Sequence, residues 1–304
     1  MKSRKSILVV GSMNMDMVVK AARIPRVGET VLGGVFNQYE GGKGANQAVA
    51  AKTLYPDTSF CAGVGDDSIG RDYLEYLKQK NLDVSLVKVF EHSHSGVALI
   101  TVGKEGNNII TVAPGANLLL SVEDMQSIDF KRFSHVAFQL ENEIATVEAG
   151  LKCAKNAGCS TILTPAPAKL LDEAILENVD YLIPNEIEIL QVLRGYTSMN
   201  NAAEALIKKG VKNVIVTLGA SGSMLFNKDG QRKYKAHPLR PIDTVGAGDC
   251  FAGSFMAGLK IYGDNLDEAI KLASAAASLS ITRMGAQSHA KLEEVLKLMG
   301  KKDL

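Results

Sequence analysis

The run Asp243-Thr-Val-Gly-Ala-Gly-Asp249-Cys-Phe-Ala-Gly-Ser-Phe-Met-Ala257 is where this chain could do chemistry. Gly246, Ala247 and Gly248 open a predicted helix that runs to about Leu259. The first turn of a helix has backbone N–H groups without internal partners, at the positive end of the helix dipole. Glycine there lets an anion reach the backbone with no Cβ in the way. Asp249 follows directly, inside the same turn. An anion-binding turn beside a carboxylate suits phosphoryl transfer to a hydroxyl: the N–H groups take up charge on the moving group, and the carboxylate accepts the proton. The same residues also suit a structural purpose, with small residues for tight helix packing and Asp249 as a favourable first-turn acid.

Further polar groups recur upstream. Asn14, Asp16 and Val18 alternate with Met13, Met15, Met17 and Val19, a period of two that puts Asn14 and Asp16 on one face of a strand. Such a pair can grip vicinal hydroxyls or simply face solvent. Glu40-Gly-Gly-Lys-Gly-Ala-Asn-Gln-Ala48 is a glycine turn opening a helix to about Leu54, with Lys43 and Asn46 presented at its start. It is not a P-loop, because the spacing is absent and Gly44 replaces the hydroxyl residue. Nor is it G-x-G-x-x-G, and at 246–251 the third glycine would be Phe251, so a nicotinamide enzyme is disfavoured. Asn185 is placed to cap a helix with Glu188 at its third position. Thr217-Leu-Gly-Ala-Ser-Gly222 is a Gly-rich turn after a strand, either a plain turn or a phosphate-facing loop.

These groups need elements to hold them. Strands are predicted at 7–11, 59–64, 86–90, 160–164, 180–183 and 213–218, and helices at 42–54, 68–80, 143–156, 185–193 and 200–209. The alternation predicts an α/β fold, a mainly parallel central sheet with helices on both faces. The β-rich runs 13–40 and 94–112 stand outside that scheme, the second a hairpin turning through Gly103-Lys-Glu-Gly106. They predict a small antiparallel β lid over the carboxyl ends of the parallel strands, where such sheets bind ligands. A small-residue helix at 266–283, with Ala273, Ala275, Ala276 and Ala277, can pack closely on a neighbour or a flat ring. With no internal repeat and no linker between equal halves, residues 1–304 read as a single domain carrying a lid.

Composition narrows the partners. Lys+Arg 34 against Asp+Glu 33 leaves a net charge of +1, which favours neither nucleic acid nor an acidic membrane surface. The basic start at residues 2–5 meets an apolar run too short for a signal peptide, and no 18-residue apolar stretch exists, so a cytoplasmic protein is expected. Cys61, Cys153, Cys159 and Cys250 include no C-x-x-C pair, and His92 and His94 have no further ligands nearby in sequence, so no zinc site is indicated.

With these pieces assembled, the sequence resembles the ribokinase-like (PfkB) sugar kinase family over essentially its whole length, from Gly11-Ser-Met-Asn-Met-Asp16 to Gly285-Ala-Gln287. Gly41-Gly-Lys-Gly-Ala-Asn-Gln-Ala48 and Asp243-Thr-Val-Gly-Ala-Gly-Asp249 look like its two signatures, with Asn185-Glu-Ile-Glu188 between them. The resemblance implies ATP-dependent phosphorylation of D-ribose at the 5-hydroxyl, with fructose, 2-deoxyribose or adenosine as alternative substrates on the same fold. Asp249 would be the base, with Gly246, Ala247 and Gly248 as the anion hole. Asn14, Asp16, Gly42, Lys43, Asn46 and Glu141 would hold the sugar, and Ala98, Ile100 and Ile110 would touch its ring from the lid. Asn185 and Glu188 would place the phosphates and a Mg2+ shell. Thr217, Gly219, Gly222 and Gly248 would line the ATP site, with Ser274 near the adenine.

The family also implies a potassium-type monovalent cation (K+) that orders the anion hole. Its ligands here would be Asp243, Val245, Ser280, Arg283 and Gly285, mostly through backbone carbonyls. The last ligand position, often a serine in the family, is His289, a poor potassium ligand beside an oxygen. A homodimer through the lid is implied too. A catalytically silent sugar binder on the same fold is disfavoured by the intact Asp249 and its turn.

Overall fold

Ile7, Leu8, Val9 and Val10 are all buried, which a strand shows only when both of its faces are covered. A computed structural model describes residues 6–263, 265–301 and 303, so the basic start lies outside the described residues. The chain begins with β1 (Ser6–Val10), β2 (Asn14–Lys20), β3 (Val35–Gly41), α1 (Lys43–Leu54), β4 (Thr58–Cys61), β5 (Gly63–Gly65), α2 (Ser68–Gln79) and β6 (Lys88–Phe90). It continues through β7 (Gly96–Val102), β8 (Asn108–Ala113), α3 (Val122–Ser127), β9 (Phe133–Phe138), α4 (Ile144–Asn156), β10 (Ser160–Leu163), α5 (Glu173–Leu176) and β11 (Tyr181–Leu182). The last third holds α6 (Glu188–Gln191), α7 (Met199–Lys208), β12 (Asn213–Thr217), β13 (Ser223–Asn227), β14 (Gly230–Tyr234), α8 (Ala247–Ile261), α9 (Leu266–Ser280) and α10 (Leu292–Leu298).

The large sheet has the order β14-β13-β12-β11-β10-β9-β1-β4. Strands from β12 to β4 in that order pair parallel, and β13 and β14 close one edge antiparallel. Alternate residues of each strand feed opposite layers. Leu8, Val10, Val136, Phe138, Leu163 and Val214 meet α4 and α7 on one side. Ile7, Val9, Ala137, Ile162 and Ile215 meet α1, α8 and α9 on the other. This is the expected α/β architecture with helices on both faces.

A four-stranded sheet, β3-β2-β7-β8, stands apart from it. Its hairpins β2–β3 and β7–β8 are antiparallel, but β2 and β7 run parallel because a long crossover separates them. The expected strand at 59–64 breaks at Ala62: β4 joins the large sheet, while β5 pairs with β6. The expected helix at 185–193 reduces to the single turn α6. Strands β9, β13 and β14 were not foreseen.

Close helix packing sets the site. A Cβ on Gly253 of α8 would lie 2.2 Å from the Gln47 carbonyl of α1, so the two helices touch backbone to backbone. On the other flank, a Cβ on Gly258 would meet Ala269 Cα of α9 at 2.9 Å. Gly253 and Gly258 are therefore helix contacts, the first bringing the start of α1 against the start of α8, while on the small-residue helix α9 Ala275 and Ala276 pack into the core and Ala277 lines a cavity.

Candidate active site

Gly246 caps α8 with φ 74°, and a Cβ there would meet Ala286 Cβ at 2.8 Å. Both facts call for glycine. The Cys250 N–H already bonds back to the Gly246 carbonyl, and Ala247 N–H reaches the Thr244 carbonyl. The N–H groups of Gly248 and Asp249 meet no protein acceptor among the described residues. A Cβ on Gly248 would have nothing within 4 Å, so the turn opens onto free space. Asp249 itself is only 8% exposed. Its Oδ2 accepts from Asn46 Nδ2 and its Oδ1 from Gln47 Nε2, each at 3.1 Å.

Around that carboxylate the structure gathers Asp16, Lys43, Glu141 and Glu188. Lys43 is the central cation: Asp249 above all holds its ammonium above the usual value, with Glu141, Glu188 and Asp16 adding and burial opposing. Burial pushes the Asp16 carboxyl up to about 7, reinforced by Glu141 and Asp249 and opposed by Lys43. Glu188 is likewise raised by burial and by Asp249. Carboxylates thus outnumber the one ammonium, and the cluster is left wanting hydrogen-bond donors or cations.

Backbone geometry holds the rest of this cluster. Gly42 caps α1 with φ 88°, and a Cβ there would sit 2.7 Å from the Asn14 nitrogen. Glu141 Oε2 accepts from the Lys43 N–H at 3.0 Å and from the Ser12 hydroxyl. Asn14 is buried, with its Oδ1 taken by Asn117 Nδ2 at 2.7 Å, which leaves Asn14 Nδ2 as a donor. In the small sheet, register puts Asp16 beside Ala98, and Ile100 beside both Val18 and Ile110, so all lie on one face. Ala98 is buried, whereas Ile110 is 55% exposed at the far strand.

Beyond the turn lies a cavity of about 690 Å³. Thr217, Gly219, Gly222, Gly248 and Ser274 line it together with Ala247, so these residues share one cavity, while Asn185 and Glu188 are not among its lining residues. Ser274 Oγ is buried there without a hydrogen-bond partner. Asn185 and Glu188 cap α6 reciprocally: Asn185 Oδ1 accepts from Ile187 and Glu188 N–H at 2.9 and 2.8 Å, and Glu188 Oε2 accepts from Asn185 N–H at 2.8 Å.

The 243–289 loops enclose the other side of the turn. Asp243 accepts from the N–H groups of Val245 and Gly285, at 3.0 and 2.9 Å. The Ser288 hydroxyl reaches back to the Met284 carbonyl. The ring of His289 joins none of these hydrogen bonds. Burial lowers its ring to about 4, with Lys80 and Arg283 adding to the shift. The Asn46 backbone favours the protonated ring but completes no hydrogen bond of normal geometry, and both ring nitrogens are buried without a partner. His289 joins the loop through its carbonyl, which accepts from Arg283 Nη1 at 2.9 Å.

Several residues that hold the site were not singled out from the sequence: Ser12, Gln47, Tyr73, Asn117, Gln139 and Gln287. Gln287 Nε2 donates to Asn46 Oδ1 at 3.1 Å and to the Tyr73 hydroxyl at 2.7 Å, and that hydroxyl donates to the Gly41 carbonyl at 2.7 Å. The available signal was a glutamine at an otherwise apolar helix position, as at Gln47 among Ala45, Ala48 and Val49.

Residues 4–293 match the family described as pfkB family carbohydrate kinase. A ribokinase of Haemophilus influenzae is 36% identical over 94% of this chain and 95% of its own. A deoxyribokinase of Salmonella typhi is 34% identical over 93% of this chain and 94% of its own. Among solved structures, the ribokinase of Thermotoga maritima superposes with a TM-score of 0.89 at 35% identity, covering 97% of this chain and 99% of its own. The Arabidopsis thaliana ribokinase, complexed with ribose and ATP, gives 0.88 at 30% identity, covering 97% and 98%. The chain therefore belongs to the pfkB carbohydrate kinase family, as a kinase of its ribokinase group.

Proposed function

We propose that this kinase transfers the γ-phosphoryl of ATP to the 5-hydroxyl of D-ribose. The observation that carries the reading is the seat of Asp249, a buried carboxylate at a helix-start turn with free N–H groups, between the 690 Å³ cavity and the Asn14–Asp16–Lys43 cluster. Asn14, Asp16, Lys43, Asn46 and Glu141 supply the donors and acceptors that a polyhydroxyl ring needs, with Gly42 letting the start of α1 close up on the backbone of Asn14. Asn14 donates to a ring hydroxyl, so a 2-deoxy sugar would leave a buried donor unpaired. The relatives in both solved complexes and curated sequences make ribose and ATP the natural pair to test first.

In the reaction, the 5-hydroxyl oxygen attacks the γ-phosphorus, the bond to the bridging oxygen of ADP breaks, and Asp249 takes the hydroxyl proton. The free N–H groups of Gly248 and Asp249, in the turn opened by Gly246 and Ala247, stabilise charge on the moving phosphoryl. Ala98, Ile100 and Ile110 on the inner face of the small sheet cover the sugar and exclude water, which would otherwise hydrolyse ATP. Asn185 and Glu188 suit the shell of a Mg2+ ion, since Glu188 is a carboxylate raised by burial and short of cations; bound magnesium would offset phosphate charge. Asp243, with the carbonyls of Val245, Ser280, Arg283 and Gly285, offers an oxygen set for a K+-type ion, which would steady the turn when bound. Ser288 Oγ, not the ring of His289, provides the hydroxyl oxygen of that set.

The outer face of the small sheet leaves Val19, Phe36, Leu99 and Ile109 exposed, and we read it as the face of a homodimer, with a cytoplasmic setting that supplies ATP. The test is a coupled ADP-release assay with Mg2+-ATP and a panel of ribose, 2-deoxyribose, fructose, adenosine and uridine. Ribose-dependent release supports the reading. Release with a hexose or nucleoside alone overturns the substrate, and equal kcat/KM for ribose and 2-deoxyribose removes the role given to Asn14.

A further inference from the structure

Two amides bracket the Asp249 carboxylate, and only Asn46 belongs to the proposed sugar set. The other, Gln47, is fully buried and does not line the cavity. Its Nε2 donates to Asp249 Oδ1 at 3.1 Å and to Thr164 Oγ1 at 3.3 Å, while its Oε1 accepts from Gln139 Nε2 at 2.7 Å. Both N–H bonds and the oxygen are used, so rotating the amide by half a turn breaks all three contacts. Gln139 is fully buried too, and its Oε1 has no partner. That oxygen lies 2.0 Å from where a Cβ on Gly11 would stand, so Gly11 makes room for the glutamine. Burying two amides this deep is costly, and the arrangement persists although an apolar pair would pack without an orphaned oxygen. Its one link to the chemistry is Asp249.

We propose that Gln47 is a positioning residue for Asp249: its amide, locked by Gln139, fixes the plane of the carboxylate so that a lone pair stays aimed at the incoming hydroxyl. This rests on reading Asp249 as the base. A carboxylate free to swing about its Cβ would lose the alignment on which proton transfer at a loose transition state depends.

The test uses the full-length protein with ribose and Mg2+-ATP. Gln47→Leu keeps the volume and removes the donor; we expect kcat to fall about 10- to 100-fold, with KM for both substrates within about threefold. Gln47→Glu sets a second carboxylate against Asp249, and the acid limb of its kcat profile moves up by about one pH unit or more. The charged groups facing Asp249 are Lys43 of α1, Asp16 of β2 and Glu188 of α6, with Glu141 behind Lys43 and the Cys250 thiol beside it; all are unchanged in the variant. An acid limb that stays in place would show that position 47 does not face the Asp249 carboxylate, and would overturn the proposal.

If Gln47→Leu does not fold, Gln139→Leu unlocks the amide while leaving it present, and kcat should fall about threefold to tenfold. In an Asp249→Asn background, Gln47→Leu should cause no further loss. A folded Gln47→Leu or Gln139→Leu with wild-type kcat, or an additive loss in the double variant, overturns the proposal. Near-normal turnover in Asp249→Asn alone would instead remove the base reading beneath it.

Discussion

Asn46 donates to Asp249 across 203 residues of sequence, through a buried hydrogen bond of 3.1 Å that joins the two glycine-rich segments of the chain. The other end of the same Asn46 amide accepts from Gln287, so the start of α1, the start of α8 and the 283–289 loop share one hydrogen-bonded chain. Tyr73 extends it to Gly41 at the end of β3. The proposed sugar-binding groups, base and cation loop are therefore mechanically connected.

As the proposed base, Asp249 is the first residue to change. Asp249→Asn keeps the shape and an acceptor for one of the two amide donors, so folding should survive. We expect kcat to fall about 10²- to 10⁴-fold, the usual contribution of a general base. Ribose affinity, measured by calorimetry, should stay within about threefold. A drop in affinity equal to the drop in kcat would make Asp249 a binding residue.

Asp16 links the site to pH. Its carboxyl titrates near 3.8 in an unfolded chain and at about 7 in the fold, so the folded state binds more protons between those values. The corresponding stability is fully present below the lower value and is lost as pH rises through the upper one. Asp16→Asn removes this loss. The melting temperature of the variant relative to the parent should therefore rise from pH 5 to pH 8. A constant difference across that range would mean that Asp16 is ordinary in the fold. In the parent, KM for ribose should improve as pH climbs through about 7, where the carboxylate becomes a stronger acceptor.

Ser288 and His289 make opposite predictions. If Ser288 Oγ serves the cation, Ser288→Ala should weaken activation by potassium over N-methylglucamine, read as a rightward shift of the potassium titration. His289→Phe should leave that titration unmoved, because the ring nitrogens face no oxygen ligand and have no partner. It should also hold or raise the melting temperature, since two unpaired buried polar atoms disappear. Loss of potassium activation in His289→Phe alone would return the ligand role to that residue.

The outer face of the small sheet can be broken without touching the inner one. Leu99 and Phe36 are exposed there, and an apolar face of this kind is expected to bury against a second copy. Leu99→Asp should shift the light-scattering mass at micromolar concentration from dimer to monomer. A parent that is monomeric under those conditions would leave the face without the partner proposed for it.

Much of this molecule was readable from its residues in order. Periods of two and 3.6, glycines at helix starts, and the Asn185–Glu188 capping pair are local signals, because each rests on contacts within a few positions. They sufficed for the layered α/β fold, for α1, α2, α4, α7, α8 and α9, and for the two hairpins of the small sheet. They misled where a local pattern lacked tertiary support: the run at 59–64 divided between two sheets, and the helix at 185–193 kept one turn. The pairing of β2 with β7, the clamp of Asn117 on Asn14, the Gln47–Gln139 lock and the burial of the His289 ring nitrogens without partners belong to the tertiary structure alone. Each joins or separates residues from distant parts of the chain. No spacing rule reaches that far; only the order of strands in the sheet and the close approach of α1 to α8 decide which polar groups meet.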